Sequence, residues 1–401
     1  MHHNIGFFLE GYIFGGTESV IITKIKNWKL KKGQKIIVFC NKEHSGLKKI
    51  KRELLKIATV VTFNSPFYMK IIYKKKNNNY LFNYFHKFIY YVIVNYILIF
   101  SEIKTFEKLF EKYKVSHFFV HNGGWPAART SRSALFAASN LKIKNIFLVI
   151  HGLVNPHNPI LRLQETFVEM MIKNCHIKII TVSRTAAKTI KNNTRLPQPK
   201  VIYNGTQKYL KQENSKNYFN VPESNFLILS VGTLDANRGH LVLIKSMLKI
   251  KKIIPNVTLI IVGTGEDKEK NNLIKQVIDY GLEKNIKITK FKGNIRSIIS
   301  VSDVIVNPVL FTESFGMIAI EAMAQKKPVI ASRIGGIPEI IINNKTGYLI
   351  EPNNPDLICD RVLRLYNNKK LSSDFGKKGY ERFIKLFDEK IMVYNYMRLI
   401  K

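Results

Sequence analysis

Short apolar runs closed by glycine and followed by helical periodicity recur along this chain, and they restrict its fold more than any other feature. Residues 226–231 form one such run, closed by Gly232, and residues 240–253 then carry helical periodicity. Residues 258–262 end at Gly263-Thr264-Gly265 and lead into a polar helix reaching about Tyr280. Runs at 286–291, 304–306 and 329–331 continue the series. The first half repeats it, with strands expected at 5–9, 36–39, 60–63, 117–121, 146–150 and 179–182. Helices at 18–28, 80–100 and 126–140 fall between them. Continuously apolar strands alternating with helices mark a parallel sheet covered on both faces. The expected class is α/β, with two doubly wound domains, 1–205 and 206–385, joined near Asn204-Gly205 and the polar stretch 207–218. Amphipathic helices follow from about Pro355, and a last one at 386–401 is free to cross back to the first domain. Ligands bind beyond the carboxyl ends of such strands, so two facing domains would form a central cleft.

At 401 residues the chain is too long for one ordinary core, and an apolar content of 46% is that of a globular protein. Cys40, Cys175 and Cys359 match no metal or redox spacing, which points to a reducing cytoplasm. Residues 1–16 lack a basic leader region and read as a strand entering a glycine turn, not as a signal peptide. The longest apolar run, 88–100, is interrupted by Asn95 and is too short to span a bilayer.

The net charge is +36, and residues 1–210 hold 34 basic against 9 acidic side chains, while residues 211–401 hold 30 against 19. That asymmetry fits a polyanionic or membrane-surface partner for the first half. Abundant Lys, Asn and Ile throughout would also suit an AT-rich genome. Lys70, Lys74, Lys75, Lys76 and Lys87 border an aromatic run from Tyr80 to Tyr91. Such a segment suits the headgroup boundary of an anionic membrane, and its aromatics would suit a domain core equally well.

Glu321 is the most telling single residue, because it interrupts the apolar helical run 318–324. A carboxylate there needs a partner or a ligand. Glu313 lies one short loop earlier, and Ser314 is the expected N-cap of the helix. The helix start would offer backbone N–H groups around Phe315, Gly316 and Met317 to an anion. Carboxylates on either side of a phosphate-binding helix end suit a nucleotide-sugar: sugar, diphosphate, ribose. A glycosidase also needs paired carboxylates, but nothing here fixes their separation.

Glycine turns supply further candidates. Gly15-Gly16-Thr17-Glu18 follows the first strand and would let the backbone approach a phosphate, although the third glycine of the dinucleotide fingerprint is missing. The loop from Gly232 to His240 places Arg238 at its exit, where a guanidinium can grip phosphate bidentately. Gly335-Gly336 forms a third turn, and His151-Gly152 and His121-Asn122 stand at strand ends.

Together these pieces resemble the retaining glycosyltransferases of family 4, which have the GT-B fold of two facing Rossmann-like domains. The likeness is collinear over nearly the whole chain: Gly15 to Glu18, His121, His151-Gly152, Ser183-Arg184, Asn204-Gly205, Gly232-Thr233, Arg238-Gly239, Gly263 to Gly265, Gly293, Asp303, Glu313 to Glu321, and Gly335 to Glu339. The resemblance implies that Glu313 binds donor-sugar hydroxyls, Glu321 binds ribose hydroxyls, and the backbone of Phe315, Gly316 and Met317 holds sugar and diphosphate. Gly16 belongs to the phosphate loop in this reading. Loop side chains near Asn294 and Thr312 set base and sugar selectivity. The family usually places an arginine and a lysine on the diphosphate, where this chain has Thr233 and Arg238, so one positive charge is missing. His151 matches the family's acceptor-side histidine.

The implied reaction is metal-independent sugar transfer with retention, from a UDP- or GDP-linked donor to a glycan or polyprenyl-diphosphate-linked acceptor. No separate cofactor is implied, and no Asp-x-Asp metal motif occurs. The setting implied is bacterial surface-polysaccharide assembly (O-antigen, capsule or lipooligosaccharide) on the inner face of the cytoplasmic membrane. Two rivals remain: an epimerase or hydrolase of the same fold, and a nucleic-acid-binding protein suggested only by charge. The second has no recognised binding motif behind it, so no nucleic acid is expected as partner.

Overall fold

The computed structural model describes residues 4–9, 15–65, 95–126, 128–208, 215–290 and 295–400. The chain divides into two compact units, Met1–Ile202 with Val393–Lys401, and Tyr203–Met392. The division therefore falls three residues before Gly205, and residues 386–392 stay with the second unit.

The first unit is built on seven strands: β1 (Asn4–Leu9), β2 (Ile36–Asn41), β3 (Thr59–Phe63), β4 (Val115–Asn122), β5 (Asn145–Ile150), β6 (Lys178–Thr181) and β7 (Lys200–Val201). They pair in parallel in the order β3-β2-β1-β4-β5-β6-β7. The helices between are α1 (Gly16–Lys26), α2 (Leu47–Leu54), α3 (Asn95–Lys112), α4 (Arg129–Asn140), α5 (Arg162–Asn174) and α6 (Arg184–Asn193). β2 is buried at every position, which explains its unbroken apolar sequence. Phe8, Phe63, Phe106, Phe110 and Phe118 interlock edge-to-face and stacked beneath α3. The helix expected at 80–100 is described only from Asn95, and it continues to Lys112. Its i, i+4 pair Phe106 and Phe110 is buried, and that is the signal the sequence reading stopped short of.

The second unit repeats the topology with β8 (Phe226–Val231), β9 (Val257–Val262), β10 (Ile286–Thr289), β11 (Val304–Asn307), β12 (Val329–Ser332) and β13 (Tyr348–Ile350). Its order is β10-β9-β8-β11-β12-β13, again parallel. The covering helices are α7 (His240–Ile253), α8 (Asp267–Asp279), α9 (Ile295–Val301), α10 (Met317–Ala324), α11 (Ile337–Ile340), α12 (Pro355–Asn367) and α13 (Lys369–Leu386), and α14 (Glu389–Met397) ends the fold. The segment after Asn204 is anchored, not slack. Thr206 forms a parallel bridge with Asp388, and its N–H and C=O bond to Phe387 and Glu389 at 3.0 Å each. In each sheet the strand order reverses once, between β1 and β4 and between β8 and β11. Ligands of doubly wound domains bind at that reversal, beyond the carboxyl ends.

Candidate active site

In the second unit, three loops converge at the reversal, and backbone contacts decide how. Gly239 has φ 67°, and a Cβ there would overlap the Pro308 carbonyl, so only glycine lets the β8–α7 loop lie against the β11–α10 loop. Asn237 ties the two together. Its Oδ1 accepts from the N–H groups of Phe311 and Thr312 at 3.0 Å, and its Nδ2 donates to the Thr312 carbonyl at 3.1 Å. The Leu310 N–H donates to the Asn237 carbonyl at 2.8 Å. The third loop carries Gly335 at φ 55°, where a Cβ would overlap the Glu313 carbonyl, and the Gly336 N–H donates to that carbonyl at 2.9 Å. Gly335-Gly336 therefore buttresses Glu313, while the helix it opens is only the short α11.

On this platform Arg238 Nη1 meets Glu313 Oε2 at 2.7 Å, in a partly buried ion pair. The sequence reading gave these two side chains separate tasks and did not foresee their contact. Thr233 does not replace the missing cation. Its hydroxyl donates to Asp235 and accepts from Arg238 Nε at 3.4 Å. His240 is buried behind the loop, its Nε2 3.1 Å from the Thr233 carbonyl, and burial lowers its pKa to about 4.

Ser314 is not the N-cap. The helix starts at Met317 behind Gly316, whose φ of 114° reverses the chain and leaves no side-chain cap. A Cβ on Gly316 would also press on Ile337 and Ile340, so the glycine serves both the turn and the packing. The N–H of Ala319 returns to the Gly316 carbonyl, while the N–H groups of the first helical residues point out of the helix end. Phe315 is buried and packs on the rings of Tyr203 and Phe387, which anchors the loop. Glu321 is partly buried on α10. Desolvation pushes its pKa up to about 7, against the pull of the Arg296 guanidinium. Arg296 is itself held by Gln207 Oε1 at 2.7 Å and Thr206 Oγ1 at 3.0 Å. Asn294 lies outside the described residues.

In the first unit, Gly16 is exposed at the start of α1 with open space around it. Glu18 folds back so that the Gly15 N–H donates to its Oε2 at 2.8 Å, which takes up one donor of that loop. His151 directly follows β5 and is buried, with its Nε2 2.8 Å from His121 Nδ1. Burial, with the charge of Lys24, holds its pKa at about 3, so the ring is neutral. Lys24 was not singled out from the sequence. Its place on the core-facing stripe of α1, between Val20, Ile21 and Ile25, was the available signal. Among the described residues, no group of His, Cys, Asp and Glu could hold a metal ion.

Residues 211–382, nearly all of the second unit, match the family described as glycosyl transferases group 1. The whole chain superposes on a glycosyltransferase from Rickettsia africae with a TM-score of 0.78 at 21% identity, covering 100% of this chain and 99% of the other. Anabaena HepE, solved with UDP, gives a TM-score of 0.75 at 18% identity over 99% of both chains. These likenesses establish the GT-B class of two Rossmann-like domains. An uncharacterized glycosyltransferase of Methanocaldococcus jannaschii is 32% identical over 51% of this chain and 54% of its own length. A Salmonella typhimurium lipopolysaccharide 1,2-N-acetylglucosaminetransferase is 25% identical over 59% of this chain and 68% of its own. The chain spans about half the length of the first of these curated relatives.

Proposed function

We propose that this protein is a retaining glycosyltransferase that moves a sugar from a nucleotide-sugar to a glycan or lipid-linked acceptor without a metal ion. The observation that carries the reading is the Arg238–Glu313 pair, set on three stitched loops beside the start of α10 at the reversal of the second sheet. A leaving nucleoside diphosphate develops negative charge, and a fixed guanidinium with outward N–H groups can stabilise it without reorganising. Glu313 would hold the sugar hydroxyls, Glu321 the ribose diol, and Phe315, Gly316 and Met317 the backbone side of the diphosphate. Thr233 and Asn294 would add to these donor contacts, Gly16 would belong to the first unit's phosphate loop, and His151 would serve the acceptor side. UDP is the favoured nucleotide, since HepE was solved with it. Incubation with a panel of UDP- and GDP-sugars, with and without glycan acceptors, tests the proposal. Free sugar released at the same rate without acceptor would replace the transferase by a hydrolase.

The acceptor is proposed to be a lipid-linked surface glycan, reached by docking on an anionic membrane. Among the described residues no helix is long and apolar enough to cross a membrane. On α5, however, Leu163, Phe167, Met170 and Met171 stand 87%, 58%, 49% and 37% exposed at helical spacing. Both acids of that helix turn inward, Glu165 to Arg132 at 2.7 Å and Glu169 to Trp125 and His157. The outward face is thus apolar and rimmed by Arg162 and Lys173, a pattern suited to an anionic bilayer. The basic, aromatic stretch 70–100 lies for the most part outside the described residues. Vesicle sedimentation compares neutral with anionic lipid for the native chain, for Leu163→Ser with Phe167→Ser, and for Lys74, Lys75 and Lys76 changed to Gln. Equal partitioning to both lipids would remove the membrane from the proposal.

A further inference from the structure

A buried lysine starts a line of hydrogen-bonding groups that ends at His151. Lys24 is fully buried, with its Nζ 3.5 Å from His121 Nε2 and 3.4 Å above the centre of the Tyr396 ring. Burial drives its pKa well down, and no carboxylate among the described residues offsets that cost. His121 Nδ1 then lies 2.8 Å from His151 Nε2. Burial and the neighbouring Lys24 also keep His121 well below the usual histidine range, so both rings are neutral.

In a neutral imidazole one nitrogen donates and the other accepts, so each contact fixes the next. Charged or neutral, Lys24 carries N–H groups, and its seat on an aromatic face favours N–H groups or positive charge there. Donation from Lys24 to His121 Nε2 leaves the His121 proton on Nδ1. That proton points to His151 Nε2, which accepts it, and the His151 proton is left on Nδ1. No hydrogen bond joins that Nδ1 atom to another described residue, and His151 is 6% exposed.

We propose that Lys24 and His121 are positioning residues that lock His151 in the Nδ1–H form, making it a hydrogen-bond donor and not a base. An outward N–H suits an oxygen-rich ligand such as a sugar hydroxyl or ring oxygen. This last step rests on the glycosyltransferase reading; the tautomer does not.

Two-bond proton–nitrogen spectra of the full chain labelled with 15N-histidine read the tautomer directly. The expected result is a proton on Nδ1 of both His121 and His151 at neutral pH. A proton on His151 Nε2, which would mean that Lys24 is neutral and accepting, overturns the proposal. His121→Asn keeps a donor at the Nδ1 place and should preserve the His151 pattern, whereas His121→Leu and Lys24→Met should each give a tautomer mixture. An unchanged His151 pattern in every folded variant also overturns it. His151→Asn, which keeps the outward donor, should raise the acceptor KM less than His151→Leu, which should raise it about tenfold, the loss of one hydrogen bond. Equal activity of these two would sink the ligand contact alone and leave the tautomer standing.

Discussion

The second unit gathers charge at the carboxyl ends of its strands, and the first unit gathers neutral rings there. After β8 and β11 stand Arg238 and Glu313, ion-paired at 2.7 Å, with Glu321 near its titration point. At the end of β4 and just after β5 stand His121 and His151, both stripped of charge by burial. The strand order is the same in both, so topology explains where a ligand-facing side chain can stand and not what it does there. A site that meets a diphosphate needs charge. A site that meets hydroxyls is better served by oriented neutral donors, which lose less hydration when covered.

The difference can be broken by mutation, and the largest effect should come from the backbone. Gly335→Ala forces a positive φ on a residue with a Cβ, at about 1–3 kcal/mol, and pushes on the Glu313 carbonyl. Transfer should fall by roughly a hundredfold, as for a misplaced catalytic group, with a lower melting temperature. Wild-type turnover in this variant would mean that the third loop does not hold Glu313.

Next in size, Glu321→Gln should weaken binding of the free nucleoside diphosphate by about 1.5–3 kcal/mol, the value of a charged hydrogen bond. His151→Ala should leave that binding intact and disturb acceptor use. Calorimetry with the diphosphate alone separates them, and equal losses would erase the contrast between the two units. Arg238→Ala should raise the donor KM and slow transfer together, whereas Glu313→Gln should lower kcat more than it raises KM. If either folded variant transfers sugar at the native rate, its assigned role is wrong.

The smaller effects concern pH. Folded Glu321 keeps its proton up to about pH 7, while in the unfolded chain it loses it near 4.5. The folded state therefore binds more protons across that window, and stability should decline as pH rises through it. Diphosphate binding should strengthen over the same range as the carboxylate forms, and Glu321→Gln should flatten both curves. The buried histidines act at the other end. Unfolded, they take up protons below about 6.5, which His151 refuses until about 3 and His240 until about 4. Stability should fall as pH drops below 6.5, and His151→Asn should reduce that slope slightly in equilibrium unfolding.

Much of the fold was legible where glycine and apolar runs punctuate the chain. The strand at Phe226–Val231 and the helix at His240–Ile253 stand where the sequence pattern puts them, because an unbroken buried run and a glycine exit are both local signals. The strand Tyr348–Ile350 was missed, since three residues carry no period. The cap at Ser314 was misread because residue type favours serine, whereas the chain reverses at Gly316 through a positive φ that the neighbouring loop imposes.

The sequence by itself determined which chemical groups the protein owns and that they sit on glycine loops between parallel strands. Only the tertiary structure decided their states. Arg238 meets Glu313 across 75 residues of chain, and Lys24 meets His121 across 97. Parallel crossovers and sheet register set both encounters, and neither is a property of any local window. The same holds for protonation: a histidine is neutral, or a glutamate half-protonated at pH 7, because of what surrounds it in space, and burial is known only once the layers have closed.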